Sequence, residues 1–168
     1  MKDNMRFGLW LLIAAVVAGL DQLSKWSVTN SELAESPHDI TPFLRLIYTE
    51  NTGAAFGILA DRGDWALWLL SGFSALACLF IAAWLWKKPP VTDGLALSLV
   101  LGGAIGNFID RLWLGYVVDF IDAYIGVYHW PAFNIADAAI TAGAALLIWR
   151  LLFPASPKDE STAQKTPV

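Results

Sequence analysis

Apolar residues fall into four long runs along the chain, separated by shorter stretches in which polar and aromatic residues mix. An α-helix needs about 20 mostly apolar residues to cross the hydrocarbon layer of a bilayer, and each run is long enough. The pattern predicts spans at 7–28, 65–86, 94–112 and 133–153. The first run has no small-residue cleavage site and is followed at once by "DQLSK", so it reads as a retained helix and not as a removable signal sequence. Between spans one and two, residues 29–64 form a sizeable loop. Within it "FLRLIYTENTGAAFGIL", 43–59, reads as two short strands or extended pieces around the turn signal at Asn51–Gly53. Residues 113–132 read as a shorter loop carrying Trp113, Tyr116, Tyr124, Tyr128 and Trp130, rings that suit the headgroup level. "KKPPVTD" between spans two and three is a tight polar turn. Residues 1–153 are expected to form one domain. The tail at 154–168, rich in Pro, Ser, Thr and Lys, has the composition of a segment without fixed structure.

Composition agrees with the pattern. Of 168 residues 57% are hydrophobic and nine are Trp, too apolar for a water-soluble chain of this size. The net charge of −4 leaves no basic surface for nucleic acid. Cys78 is the one cysteine, which excludes a disulfide framework, and no Cys/His metal pattern or HExxH is present. The cations set an orientation. Lys2, Arg6, Lys87, Lys88, Arg150, Lys158 and Lys165 fall on one side, and Lys25, Arg45, Arg62 and Arg111 on the other. The positive-inside rule then places both termini in the cytoplasm.

The candidate chemistry lies where polar residues interrupt the spans, always near their outer ends. Ionisable groups at such depth are rare and read as functional by default. Asp21 and Lys25, four apart, share a face of the first helix and read most simply as a structural ion pair. Asn107, Asp110 and Arg111 close the third helix. Asp110 and Arg111 are adjacent and diverge by about 100°, so each needs another partner. Asn134, Asp137 and Thr141 lie on one face of the fourth, and Asp119 follows the third on the same side. "GGAIG", 102–106, reads as a packing face of small residues and not as a phosphate loop. Asp122 is expected to be solvated in a loop, whereas Asp137 has no neighbouring cation on its own helix. Serine chemistry fails: "GFSA", 72–75, has no histidine on any span, and Ser24 and Lys25 point apart. "ALAC", 75–78, resembles a lipoprotein cleavage box but lies mid-span, so Cys78 is expected to be a small core residue. Two carboxyls at about 3 Å in a low-dielectric site cannot both ionise. Asp119 and Asp137, meeting so, would share a proton. One would take a proton from water attacking a carbonyl, and the other would donate to the departing amine. Asp137, near a helix N-terminus where the dipole favours negative charge, is expected to be the base and Asp119 the first proton carrier. A membrane transporter or proton relay built on Asp137 is the rival reading. It requires polar residues through the full depth, and the inner halves of the spans are nearly free of charge.

Five blocks together resemble the lipoprotein signal peptidase (signal peptidase II) family of bacterial intramembrane aspartic peptidases. They are "DQLSK" (Asp21–Lys25), "NTGAAF" (Asn51–Phe56), "GGAIGNFIDR" (Gly102–Arg111), "VVDF" (Val117–Phe120) and "FNIAD" (Phe133–Asp137). The resemblance implies an all-α membrane protein of four transmembrane helices with a small extracytoplasmic β-containing cradle. It implies removal of the signal peptide from prolipoproteins, cutting just before a diacylglyceryl-modified cysteine, with Asp119 and Asp137 catalytic. It further implies substrate-binding roles for Asn51, Gly53, Asn107, Arg111 and Asn134, and structural roles for Asp21, Lys25 and Asp110. No metal or organic cofactor is expected. The expected partners are the lipid-modified prolipoproteins and membrane lipids, with the chain acting as a monomer in the bacterial inner membrane. A non-catalytic assembly or chaperone role for lipoproteins is a further alternative.

Overall fold

The computed structural model describes residues 2–53 and 63–154. Four long helices are present: α1 (Lys2–Thr29), α2 (Asp64–Trp86), α3 (Val91–Trp113) and α4 (Ile135–Leu152). All four are long and apolar enough to cross a membrane. Their outward faces leave large side chains uncovered, among them Leu12, Leu20, Phe73, Leu76 and Leu151. An apolar surface that continuous is stable in lipid and not in water. α2, α3 and α4 each lie within three residues of their expected bounds, and α1 begins five residues before its own. α3 starts earlier because Pro90 serves as its N-cap, where the missing N–H costs nothing. α4 starts later because Asn134 caps it and Phe133 is held outside by a β-bridge to Ile121.

α3 is the centre of the bundle, with α1, α2 and α4 all packed against it. The "GGAIG" stretch makes this possible. A β-carbon on Gly102 would lie 2.6 Å from the Ala14 carbonyl of α1, and one on Gly103 would collide with the Ala136 carbonyl of α4. The small-residue face therefore brings α1 and α4 to within backbone contact of α3 on two sides. At the end of the bundle that holds the α2–α3 turn, Trp10, Ala14, Ile81, Leu85, Leu97 and Leu101 form an apolar core, with Cys78 packed at its margin as expected. Arg150 Nε meets Asp93 Oδ1 at 3.1 Å and fastens the end of α4 to the start of α3 there.

At the opposite end the two long connections meet in a four-stranded antiparallel sheet, in the order β1 (His38–Thr41), β2 (Leu44–Asn51), β3 (Val117–Ile125), β4 (Tyr128–His129). The expected strand before Asn51 is β2. Its companion after Gly53 falls at 54–62, outside the described residues, as does the expected tail beyond 154. The expectation of a simple loop at 113–132 is corrected. "VVDFIDAYI" is a nine-residue strand paired along β2, with Arg45 opposite Asp122 and Thr49 opposite Asp119. Its Val, Phe, Ile and Tyr content is the composition that fills a pleated, half-buried surface.

Candidate active site

Lys25 organises the polar end of the bundle. Its ammonium has three N–H donors and all are used: Asp21 Oδ2 at 2.8 Å, Asp110 Oδ2 at 2.9 Å and Asn107 Oδ1 at 2.9 Å. The expected Asp21–Lys25 pair is thus part of a buried triad, and the partner Asp110 requires is Lys25. Asp21 Oδ1 accepts from the Ala136 N–H at 2.8 Å, satisfying one of the unpaired donors in the first turn of α4. Asp110 Oδ2 also accepts from the Val118 N–H at 3.1 Å and so anchors the start of β3. Gln22, which sequence reasoning passed over, donates to Asp110 Oδ1 at 2.7 Å and to the Gly106 carbonyl at 3.1 Å. Ser24 spends its hydroxyl on the Asp21 carbonyl and takes no part in a dyad with Lys25.

The amides that follow have their orientation fixed from outside. Because Lys25 donates to Asn107 Oδ1, Asn107 must present Nδ2 on its other side, and there it donates to Asp137 Oδ1 at 2.8 Å. Because the Asp137 N–H donates to Asn134 Oδ1 at 2.9 Å, Asn134 presents Nδ2 to Asp119 Oδ1 at 2.6 Å. Because the Gly53 N–H donates to Asn51 Oδ1 at 3.0 Å, Asn51 presents Nδ2 to Asp119 Oδ2 at 2.9 Å. Two carboxyls, one on β3 and one in the first turn of α4, thus face amide donors brought from β2, α3 and the N-cap of α4. Arg111, half-buried at the rim, reaches the Gly53 carbonyl at 3.3 Å and its own-helix Asn107 carbonyl at 3.4 Å.

One expectation changes. Asp137 has a structural role on its own helix after all. Asn134 and Asp137 form a reciprocal capping box, Asp137 Oδ2 accepting from the Asn134 N–H at 3.3 Å. The spacing of an amide three residues before a carboxylate at a helix start was the available signal. The two aspartates are also joined through an amide. Asn134 stands between them, bonded to the Asp119 carboxyl and to the Asp137 backbone. Asp119 is 2% exposed, and burial, followed in effect by the negative charge of Asp137, pushes its carboxyl up to about 7. The Asn51 and Asn134 amides and the Lys25 charge oppose that rise.

Asp122 is not solvated, contrary to expectation. It is 3% exposed and held by Arg45 Nε at 2.6 Å, with His129 Nδ1 at 2.9 and 3.0 Å from its two oxygens. Burial works to raise its pKa, but the His129 and Arg45 contacts outweigh it and hold the carboxyl below its ordinary value. Neither partner adjoins Asp122 in sequence, so the contact was not visible there. Among the described residues no three His, Cys, Asp or Glu side chains converge as a metal site.

Known proteins share this architecture. The sequence profile of the family described as Signal peptidase (SPase) II matches residues 13–153. A lipoprotein signal peptidase of Shewanella sp. (strain MR-4) is 44% identical over 97% of this chain and 96% of its own. One of Cupriavidus taiwanensis is 45% identical over 83% of this chain and 80% of its own. A solved bacterial membrane enzyme, determined in meso at 2.3 Å resolution, superposes with a TM-score of 0.78 at 34% identity, covering 96% of this chain and 94% of that one. With the profile spanning most of its length and relatives of this similarity, the chain belongs to the signal peptidase II family.

Proposed function

We propose that Asp119 and Asp137 form the catalytic dyad of an aspartic endopeptidase that cuts prolipoproteins just before a diacylglyceryl-modified cysteine. The coarser statement follows from family membership: this is a peptidase of the bacterial inner membrane, crossing it several times, that removes signal peptides from prolipoproteins. The observation that carries the finer one is the bridge at Asn134, which donates its side-chain amide to the Asp119 carboxyl and its backbone N–H to the Asp137 carboxyl at the polar end of the bundle. The apolar core at the other end favours this over a relay that conducts protons through the full depth.

The geometry supports a division of labour. Asp137 lies in the first turn of α4, where its Oδ1 accepts from the Asn107 amide and its Oδ2 from the Asn134 N–H. It takes a proton from the water that attacks the scissile carbonyl carbon. Asp119, in its acid form, hydrogen-bonds the carbonyl oxygen. It then gives its proton to the amine nitrogen as the carbon–nitrogen bond breaks. One water is consumed, and return of the proton from Asp137 to Asp119 resets the pair. Asn51, Asn107 and Asn134 spend their amides on the two carboxyls and orient them. Arg111, with Gly53 beside it, is the substrate-backbone contact at the rim. Asp21, Lys25 and Asp110 hold the elements together. The cation bias supports cytoplasmic termini and an active site near the extracytoplasmic face. On this reading lipid-anchored substrate reaches the site from within the bilayer, and the protein acts as a monomer. The test is cleavage of a diacylglyceryl-modified prolipoprotein by purified protein in detergent. Asp119→Asn and Asp137→Asn should each lose about 10²–10⁴-fold in kcat while remaining folded, and near-normal turnover by either would end the dyad assignment.

A further inference from the structure

A second titratable cluster, apart from the dyad and from the Lys25 triad, is on the sheet, three residues along β3 from Asp119. The Asp122 carboxylate lies beneath Arg45 of β2 and His129 of β4, which are 35% and 40% exposed in their side chains against its own 5%. Tyr124, on the same face of β3, stacks on the His129 ring with centroids 5.1 Å apart, and Arg45 lies 5.5 Å from the Tyr124 centroid. The Tyr124 hydroxyl points to Asp39 of β1 at 3.4 Å. Asp122 therefore joins β3 to the strand on each of its two sides through one side chain.

Those two neighbours deliver the donors to Asp119. β2 runs from Arg45 to Asn51, whose amide meets Asp119 Oδ2. On the other side the chain turns back after Gly126 and is laced to β3 as it returns. His129 pairs with Tyr124, the Trp130 N–H donates to the Ala123 carbonyl at 2.8 Å, and the Phe133 N–H donates to the Ile121 carbonyl at 3.0 Å. The next residue is Asn134, whose amide meets Asp119 Oδ1. Both segments that carry an Asp119 donor are thus gripped upstream by the same carboxylate.

We infer that Asp122, with Arg45 and His129, is a positioning clasp that sets the register of β2 and of the returning segment against β3, and so aims Asn51 and Asn134 at Asp119. This deepens the dyad assignment and rests on it. A strand that slips by a fraction of its repeat lengthens the hydrogen bonds at its far end, and misplacement of about 1 Å costs on the order of 10²-fold in rate. Donors to a carboxylate favour its charged form, so their loosening moves the Asp119 proton to higher pH. The charged groups facing Asp119 are Asp137 of α4, Arg111 of α3 and Lys25 of α1, and none of them belongs to the clasp.

The experiment measures kcat/KM against pH for wild type, Asp122→Asn, Asp122→Ala and Asp119→Asn in detergent, with melting curves for each. Asp122→Asn keeps the shape and removes the charge. It should stay folded, lose about ten-fold in kcat/KM, and carry its alkaline limb upward by about half a pH unit. Asp122→Ala should show the same displacement with a larger loss, and Asp122→Asn decides the matter where the alanine variant does not fold. An alkaline limb left at its wild-type position, with activity unchanged or reduced only in step with the folded fraction, overturns the clasp. Asp119→Asn separates the two levels. Full turnover by that variant removes the dyad itself, whereas an inactive Asp119→Asn beside an unmoved Asp122→Asn profile removes the clasp alone.

Discussion

As pH rises from 4 through 7 Asp119 comes to work against the fold that holds it. Its carboxyl is raised by burial from 3.8 to about 7. A group raised on folding contributes stability that is fully present below its unfolded pKa and is lost as pH rises through the folded one. Asp119→Asn should therefore melt close to wild type near pH 4 and above it at pH 8, by on the order of 1–3 kcal/mol. The gain is less than the full shift implies, because asparagine offers one acceptor where Asn51 and Asn134 each present a donor. With Asp119 as the proposed proton donor, the same titration should limit catalysis. An acid form needed for the amine's proton should make kcat/KM fall above a midpoint near 7, read from initial rates across pH 5–9. A flat profile through pH 9 would mean that Asp119 is not the proton donor. Arg111 is a different case. Among the described residues its guanidinium meets the Gly53 and Asn107 carbonyls at 3.3 and 3.4 Å, which places it at the rim where a peptide backbone would pass. Arg111→Ala should raise KM about ten-fold and lower kcat less. Loss of kcat at unchanged KM would place it in the chemistry instead.

The elements that position these residues differ in how far the sequence announced them. The four spans were legible because lipid imposes one crude requirement, about 20 apolar residues, and an apolar run shows it directly. The packing role of "GGAIG" was legible for a similar reason, since only glycine lets α1 and α4 come so near α3. β3 was not. Its Val117, Val118, Phe120 and Ile121 favour a strand, yet Asp119 and Asp122 are three apart and break a two-residue alternation. The strand carries both because their partners come from α4's cap, β2 and β4, and no local pattern records partners so distant. Asp119 and Asp137 were singled out as candidates, while the amide that joins them and the burial of Asp122 depended on that non-local pairing. A prediction belongs at this scale. Gly103 faces the Ala136 carbonyl, one residue before Asp137. Gly103→Ala must push α4 from α3, lengthening the Asn107–Asp137 contact. It should cost about 1–3 kcal/mol of stability and about 10²-fold in kcat, seen as a lower melting temperature and reduced turnover by the fraction that remains folded.

As a whole molecule the protein reverses the usual arrangement, with apolar surface outside and its densest polar network within. Lys25 is where that network closes. It ties α1 to α3 through Asp110 and Asn107, and through Asp21 to the first turn of α4. Lipid offers the helices little hydrophobic incentive to associate, so contacts of this kind and close backbone packing must hold them together. Replacing a buried ion pair with matched apolar groups is often harmless, but removing one member leaves its partners charged and unsolvated. Lys25→Met keeps the length and apolar stem of the side chain and takes away three donors at once. It should destabilise the bundle by about 3–5 kcal/mol, measured by thermal unfolding in detergent. Because Lys25, Asp21 and Asp110 are all sealed from solvent, added salt should leave that difference almost unchanged, in contrast to the exposed Arg45 side of the sheet. A Lys25→Met protein that melts with wild type would mean that glycine-mediated packing alone holds the four helices, with the triad present only to aim Asn107 at Asp137.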